Sequence, residues 1–326
     1  HQGITTAVVG MCGGTLAPLL PETRETMLGT RAAQHPEVDW EAITTFSSCL
    51  NLYRSTGISP NIVPMVGQGT IRGAVMGYSP EAATPEQIRE MQHEVDLAMD
   101  AGAWGVSSGL IYPPSSYAST EELIEVVRPA GARRGYYFTH MRNEAMYLLE
   151  SIKEAIRIGK ETGTSVQIAH YKAVGPANWH LSAPGLALID EARAEGLDIT
   201  MDMYPYLASS SPLTSLLPGW AQAGGKDETI VRLADPRTRQ EMRADMLKPS
   251  HPRSMDFDQI MIAKSHSRPE LSGRYIGEMA REAGKDPFDW LFDTLIDTGL
   301  DPSMVGFAMS EENRRNELRH PQMMIG

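Results

Sequence analysis

Tyr136-Tyr137-Phe138-Thr139-His140-Met141-Arg142 is an aromatic and β-branched run that ends on a histidine and an arginine. An amphipathic run follows, with Leu148, Leu149, Ile152 and Ile156 on one helical face, and it stops at Gly163. Ser165-Val166-Gln167-Ile168-Ala169-His170-Tyr171-Lys172 is then a second apolar run with a histidine near its end. Strand, helix and strand make one βαβ unit, so the two strands are parallel. In parallel sheets and barrels the chemistry gathers at the carboxyl ends of strands, where His140 and His170 fall. Two imidazoles at one rim suggest a metal ion.

The same rhythm extends on both sides. Upstream, Ile4 to Gly10 reads as a strand ending in the glycine-rich turn Met11-Cys12-Gly13-Gly14, where a backbone can come close to a bound group. A helix is expected around Trp40 to Leu50 and a strand at Ile62 to Gly67, followed by Gly67-Gln68-Gly69. Thr84-Pro85 opens a helix with Ile88, Met91, Val95 and Ala98 on one face and Gly102 after its end. Gly105 to Leu110 is the next strand and runs into Ile111-Tyr112-Pro113-Pro114, and Ser119 with Glu122 makes a capping box for the helix that follows. Downstream, Ser182 to Gly196 reads as a helix and Leu197 to Tyr206 as a strand. Strands that alternate with helices over two hundred residues and are nearly continuously apolar mark an α/β chain, either a parallel barrel or a doubly wound sheet. The barrel is favoured because no G-x-G-x-x-G phosphate turn is present.

From Leu207 the rhythm breaks. A Ser/Pro/Leu-rich loop runs through Trp220, a charged helix is expected from Asp227 to Leu247, and a strand at Gln259 to Lys264 precedes helices at Gly273 to Ala283 and Pro287 to Thr298. The expected organisation is therefore 1–206 as barrel strands with their helices, 207–320 as an insertion, and 321–326 as the resumption of the barrel.

Composition narrows the function. A formal charge of −12 over 326 residues, with no basic run, argues against a nucleic-acid surface, and no apolar run approaches a membrane span. Two cysteines, Cys12 and Cys49, imply no disulfide framework, so a reducing, cytoplasmic setting is expected. The start at His1 without an initiator methionine and the stop at Gly326 inside an apolar run suggest a piece of a longer chain.

Strand alternation would pair His140 with Phe138 and Arg142, His170 with Lys172, and Asp202 with Tyr204. A lone histidine more often satisfies a carbonyl than binds a metal. Two at matching strand ends, with Cys12 after a third strand, make a Cys/His/His set that suits Zn²⁺ and leaves a fourth position for water. Cys49, in an apolar helix, is expected in the core. His93 falls inside a helix, and His1, His35, His251, His266 and His320 fall in loops, in the insertion or at the chain end; His180, in the loop after a site strand, is a weaker candidate. Lys172 at a rim calls for an anion, for which a substrate carboxylate is the natural partner.

These residues carry a family resemblance along nearly the whole chain. Gln2-Gly3-Ile4-Thr5-Thr6 with Val9-Gly10-Met11-Cys12-Gly13, Gly105 through Pro114, Thr139-His140-Met141-Arg142, Ala169-His170-Tyr171-Lys172 and Asp202-Met203-Tyr204-Pro205-Tyr206 resemble the N-acyl-D-amino-acid deacylases, or D-aminoacylases, of the amidohydrolase superfamily. The resemblance implies an incomplete TIM-type (β/α)₈ barrel, strands two to seven and the start of eight, with an insertion before strand eight. It implies zinc held by Cys12, His140 and His170. It further implies a substrate pocket lined by Tyr112, Lys172 and Tyr204, with Lys172 near the carboxylate and a tyrosine hydroxyl polarising the scissile carbonyl. Arg142 and Asp202 would stand behind these groups. The implied reaction is hydrolysis of a linear, non-peptide amide in an N-acyl-D-amino acid, a small-molecule substrate; the sequence does not indicate an oligomeric state. The family's His-x-His would precede His1, and the Ser-Asp-Gly that bears its catalytic aspartate would follow Gly326, so no catalytic acid/base residue is assigned within the chain. Met11 stands where the family usually has asparagine. Two alternatives are a cyclic-amide hydrolase of the hydantoin or dihydropyrimidine type, and a catalytically incompetent fragment that associates through unpaired barrel edges.

Overall fold

The computed structural model describes residues 3–29 and 36–326, so His1, Gln2 and His35 lie outside the described residues. The chain divides into two compact units, one built from the chain up to Arg142 with Leu149–Tyr171 and Leu186–Asp202, the other from Asn143–Leu148, Lys172–Gly185 and Met203–Gly326.

The first unit is α/β and its strands are parallel. Strand β1 (Thr6–Val9) pairs with β2 (Asn61–Pro64). β3 (Val66–Gly67), β4 (Gly105–Gly109), β5 (Tyr136–His140), β6 (Ser165–Ile168) and β7 (Ile199–Met203) lie side by side in chain order, in the register Val66↔Val106, Gly105↔Tyr136, Tyr136↔Ser165 and Val166↔Ile199. Helices Pro85–Ala101, Thr120–Ala132, Leu148–Thr162 and Ser182–Ala194 alternate with these strands. Among the described residues the sheet does not close, and the architecture is that of an incomplete (β/α)₈ barrel.

Local chemistry explains the elements. Every residue of β4 is buried, as expected where helices and strand neighbours cover both faces. The helix opens at Thr84-Pro85 as expected, and through a full capping box: Thr84 Oγ1 accepts the Gln87 N–H at 3.3 Å while the Gln87 side chain accepts the Thr84 N–H at 2.9 Å; Met91, Val95 and Ala98 are buried, and Gly102 ends the helix at φ 109°. At Ser119 only half a box forms. Ser119 Oγ accepts the Glu122 N–H at 3.1 Å, but the Glu122 carboxylate instead meets the buried Arg72 guanidinium at 2.9 Å.

Several boundaries differ from the expectation. The helix expected around Trp40 to Leu50 is a short 3₁₀ turn at Trp40–Ala42 followed by a helix at Phe46–Thr56, started by a Thr45 capping box. The strand expected at Ile62 to Gly67 is interrupted at Met65, and a helix begins at Gln68. β6 and β7 stop at Ile168 and Met203, short of Lys172 and Tyr204.

The second unit holds an antiparallel sheet of β8 (Ala208–Pro212), β9 (Ile260–Lys264) and β10 (Ser303–Phe307), in the order β8-β10-β9, over a core that includes Leu213, Leu216, Met242, Ile262, Leu291 and Phe292. β8 lies in the stretch read from sequence as a loop. Its serines have little strand preference of their own, and pairing from Ala208↔Phe307 to Pro212↔Ser303 makes it a strand. The charged helix expected from Asp227 to Leu247 is two, Lys226–Ala234 and Pro236–Met246. Pro236 cannot continue the first, and the Asp235 carboxylate accepts the Thr238 N–H at 2.8 Å to start the second. A short strand, β11 (Met323–Ile325), ends with the Gly326 N–H donated to the Met203 carbonyl at 2.9 Å. Among the described residues no helix is long and apolar enough to cross a membrane.

Candidate metal centre

The turn after β1 is a tight seat for Cys12. Gly10, Cys12 and Gly13 all have left-handed backbones, at φ 81°, 53° and 74°. The turn packs backbone against backbone on neighbouring strands. A Cβ on Gly13 would lie 2.7 Å from the Gly109 nitrogen, one on Gly109 would lie 2.0 Å from the Cys12 carbonyl oxygen, and one on Gly67 would lie 2.4 Å from the Gly13 oxygen. Glycine at 13, 67 and 109 is therefore a condition of the turn lying where it does. Ser107, buried in β4, stitches both sides of the turn: its Oγ accepts the Gly13 N–H at 3.2 Å and donates to the Gly10 carbonyl. Met11 packs on the apolar cluster Met65, Phe138 and Ala169, so this position serves the turn by packing.

His140 is the last residue of β5 and is buried, with the Tyr112 ring edge-on at 5.0 Å and the His170 ring edge-on at 4.3 Å. His170 is not within a strand. It lies two residues beyond β6 in a turn with φ 37°, which overturns the alternation that would place His170 and Lys172 on one strand face. Asp202 fixes that turn. Its Oδ1 accepts the His170 backbone N–H at 2.8 Å, its Oδ2 accepts from Gln167 Nε2 at 2.8 Å, and its carbonyl accepts the Tyr171 N–H at 2.7 Å. Thr200 Oγ1 in turn donates to Gln167 Oε1. Non-glycine residues held in the left-handed region cost on the order of 1–3 kcal/mol each and recur at functional sites.

Cys12 Sγ lies 3.6 Å from His170 Nε2, and the ligand atoms of Cys12, His140 and His170 all lie within 4.8 Å of one another. The donor set fits zinc in kind and in span: tetrahedral bonds of about 2.1–2.3 Å separate neighbouring ligand atoms by roughly 3.5 Å. The Cys12 and His170 atoms already meet that separation. Among the described residues this is the one such group of three.

The other candidates lie elsewhere or do something else. Arg142, beyond the end of β5, does not share a strand face with His140. Its guanidinium meets Glu154 at 2.8 Å and the carbonyls of Ser116 and Ala118 at 3.1 and 2.9 Å, tying the loop after β4 to the helix Leu148–Thr162. In the second unit, Lys172 Nζ meets Glu144 Oε1 at 2.6 Å with both side chains buried, and Nζ lies 5.5 Å from the centre of the Tyr204 ring. Within the protein the ammonium thus already meets one carboxylate, that of Glu144. Burial pulls the Lys172 ammonium down, but the Glu144 carboxylate, with Tyr204, outweighs it and the net direction is up. Burial pushes the Tyr204 hydroxyl up against the lowering effect of Lys172. Tyr204 follows β7 and so does not share its alternation with Asp202. His180 is exposed in a 3₁₀ turn and is not brought to the metal-type cluster. Sequence reasoning missed Ser107 and Glu144. A hydroxyl inside a fully buried strand was a usable signal for the first; nothing local marked the second.

No protein-family model matches the chain. A D-aminoacylase of Alcaligenes xylosoxydans xylosoxydans is 34% identical over 332 aligned residues, covering 100% of this chain and 58% of the relative. The solved structure of a D-aminoacylase, described as defining a novel subset of amidohydrolases, superposes with a TM-score of 0.75 at 33% identity, covering 100% of this chain and 59% of that one. An N-acyl-D-glutamate deacylase of Bordetella bronchiseptica, solved with zinc and a phosphonate mimic of the tetrahedral intermediate, gives 0.77 at 28% identity, with 100% and 59% coverage. The chain therefore spans a little under two thirds of the length of these relatives. Matched from end to end in sequence and in fold, it belongs with the D-aminoacylase group of amidohydrolases.

Proposed function

We propose that the protein carrying this chain is a zinc-dependent hydrolase of linear, non-peptide amide bonds that releases D-amino acids from N-acyl-D-amino acids. The observation that carries the reading is the convergence of the Cys12, His140 and His170 donor atoms within 4.8 Å, in a chain whose relatives are deacylases by name. Zinc in such a set supplies Lewis acidity toward an amide carbonyl and acidifies water toward a pKa of about 7. Cys12 serves as a thiolate, and the two histidines serve as neutral imidazoles. Tyr112, packed against His140, is assigned to donate its hydroxyl to the amide oxygen. Lys172 is assigned to the substrate carboxylate, with Glu144 fixing the ammonium in place and the Tyr204 ring beside it. Asp202 and Arg142 support rather than touch the substrate.

The cytoplasm suits this chemistry, because a reducing compartment keeps Cys12 available as a ligand and neither cysteine is in a disulfide. The test is hydrolysis of matched N-acetyl-D- and L-amino acids by the purified protein, before and after chelation and after zinc is restored. D-selective hydrolysis that is lost and regained with zinc is expected. Hydrolysis unchanged after complete metal removal, or confined to the L series, contradicts the proposal.

A further inference from the structure

Cys12 and His170 share a conformation that L-residues rarely adopt, with φ 53° and 37°, and each is the residue whose donor atom approaches the other, at 3.6 Å. Such a conformation persists only where its surroundings over-determine it. In each case a polar side chain from a neighbouring strand does so. Ser107 Oγ, from β4, receives the Gly13 N–H and donates to the Gly10 carbonyl, closing the turn on either side of Cys12. Asp202 Oδ1, from β7, receives the N–H of His170 itself, while its Oδ2 is anchored by Gln167, which is held in turn by Thr200. All three bonds to the turns end on backbone atoms, so they set where the turns lie without engaging Sγ or the imidazole.

We propose that Ser107 and Asp202 are positioning residues that preset the two ligand turns for the metal, Ser107 for the Cys12 thiolate and Asp202 for the His170 imidazole. The inference rests on the assignment of Cys12, His140 and His170 as the metal ligands. Without either clamp the turn relaxes toward an ordinary extended backbone and carries its donor atom away from the common point. Outer contacts that orient metal ligands are typically worth about 10- to 100-fold in metal affinity, and that range is expected here.

The experiment measures Zn²⁺ and Co²⁺ affinity of the purified protein by competition with a chromophoric chelator, in the wild type, S107A, D202A and D202N. Co²⁺ absorption spectra and the denaturation midpoints of the metal-free proteins are recorded alongside. S107A and D202A are expected to bind about 10- to 100-fold more weakly. S107A should lose intensity in the thiolate-to-cobalt charge-transfer band, whereas D202A should keep that band with altered ligand-field absorption. D202N retains an oxygen acceptor for the His170 N–H and, with the Gln167 amide turned over so that its oxygen accepts from the new NH2 and its nitrogen donates to Thr200 Oγ1, should recover most of the affinity. Wild-type affinity and spectra in S107A and D202A overturn the proposal, as does weakening that follows the denaturation midpoint with the cobalt spectrum unchanged. If the wild-type protein binds Co²⁺ with no thiolate charge-transfer band, the ligand assignment fails, and this inference fails with it.

Discussion

The Cys12/His140/His170 cluster and the Lys172–Glu144 pair both sit just past strand ends, and they are built on opposite principles. The first brings three metal-type donors to one point and holds them through backbone turns, with Cys12 and His170 only half-buried. The second joins opposite charges at 2.6 Å with both side chains buried, so each charge answers the other. Convergent donor atoms of this kind could hold a cation, which is the role proposed for them. A buried ion pair largely satisfies itself, and its cost appears when one partner is removed.

The largest effect that would break this contrast is at Cys12. On the proposed function, Cys12→Ala should abolish stoichiometric zinc and slow the proposed hydrolysis on the order of 10³-fold, since a catalytic metal contributes several kcal/mol and each 1.36 kcal/mol is tenfold. Global stability should change little because Cys12 is only partly buried. Metal analysis beside a rate assay checks this, and full zinc content in the variant would place the site elsewhere.

Glu144→Ala should do the reverse. It strands the buried Lys172 ammonium, and stability in a denaturant titration should fall by about 3–5 kcal/mol. A Glu144→Leu/Lys172→Met double variant should regain much of that loss. A single variant within about 1 kcal/mol of wild type would show that the two charges do not depend on each other.

Gly109→Ala tests the glycine seat. The added Cβ would lie 2.0 Å from the Cys12 carbonyl, so the turn must shift. The cost should be about 1–3 kcal/mol of stability, together with weaker zinc binding. Normal zinc affinity in Gly109→Ala would mean that the turn does not depend on this backbone contact.

The smallest effect concerns an uncharged group on the strand that bears His140. Tyr137, on the same strand as His140, is fully buried, and burial pushes its hydroxyl up to about 12 despite bonds from Ser108 and Thr139. A hydroxyl whose folded pKa exceeds the unfolded value of about 10 contributes stability that is present below pH 10 and is lost as the pH rises through about 12. Tyr137→Phe should therefore lose less stability than wild type between pH 9 and pH 11, by about 1 kcal/mol. Parallel pH profiles for the two proteins would remove Tyr137 from the alkaline transition.

What the residues alone established was the repeating pattern. Periodic apolar faces, Thr84-Pro85 at a helix start, Gly102 at its end and apolar runs ending in histidine gave an α/β chain with a barrel favoured and singled out Cys12, His140 and His170 as candidates, because each of these signals is local in sequence. The resemblance in Tyr112-Pro113-Pro114 and Tyr204-Pro205-Tyr206 added the family. Other features depended on partners far apart in the chain. β8 is a strand because β10 pairs with it, and Glu122 leaves its capping box because Arg72, fifty residues away, is buried beside it. His170 leaves the strand alternation because the carboxylate of Asp202, thirty-two residues on, takes its N–H. Lys172 already has an anion because Glu144, twenty-eight residues earlier, is folded against it. Short-range patterning is written into a chain by side-chain size and backbone preference, whereas the choice of partner for a charge or an N–H is an energetic competition that only the folded arrangement resolves.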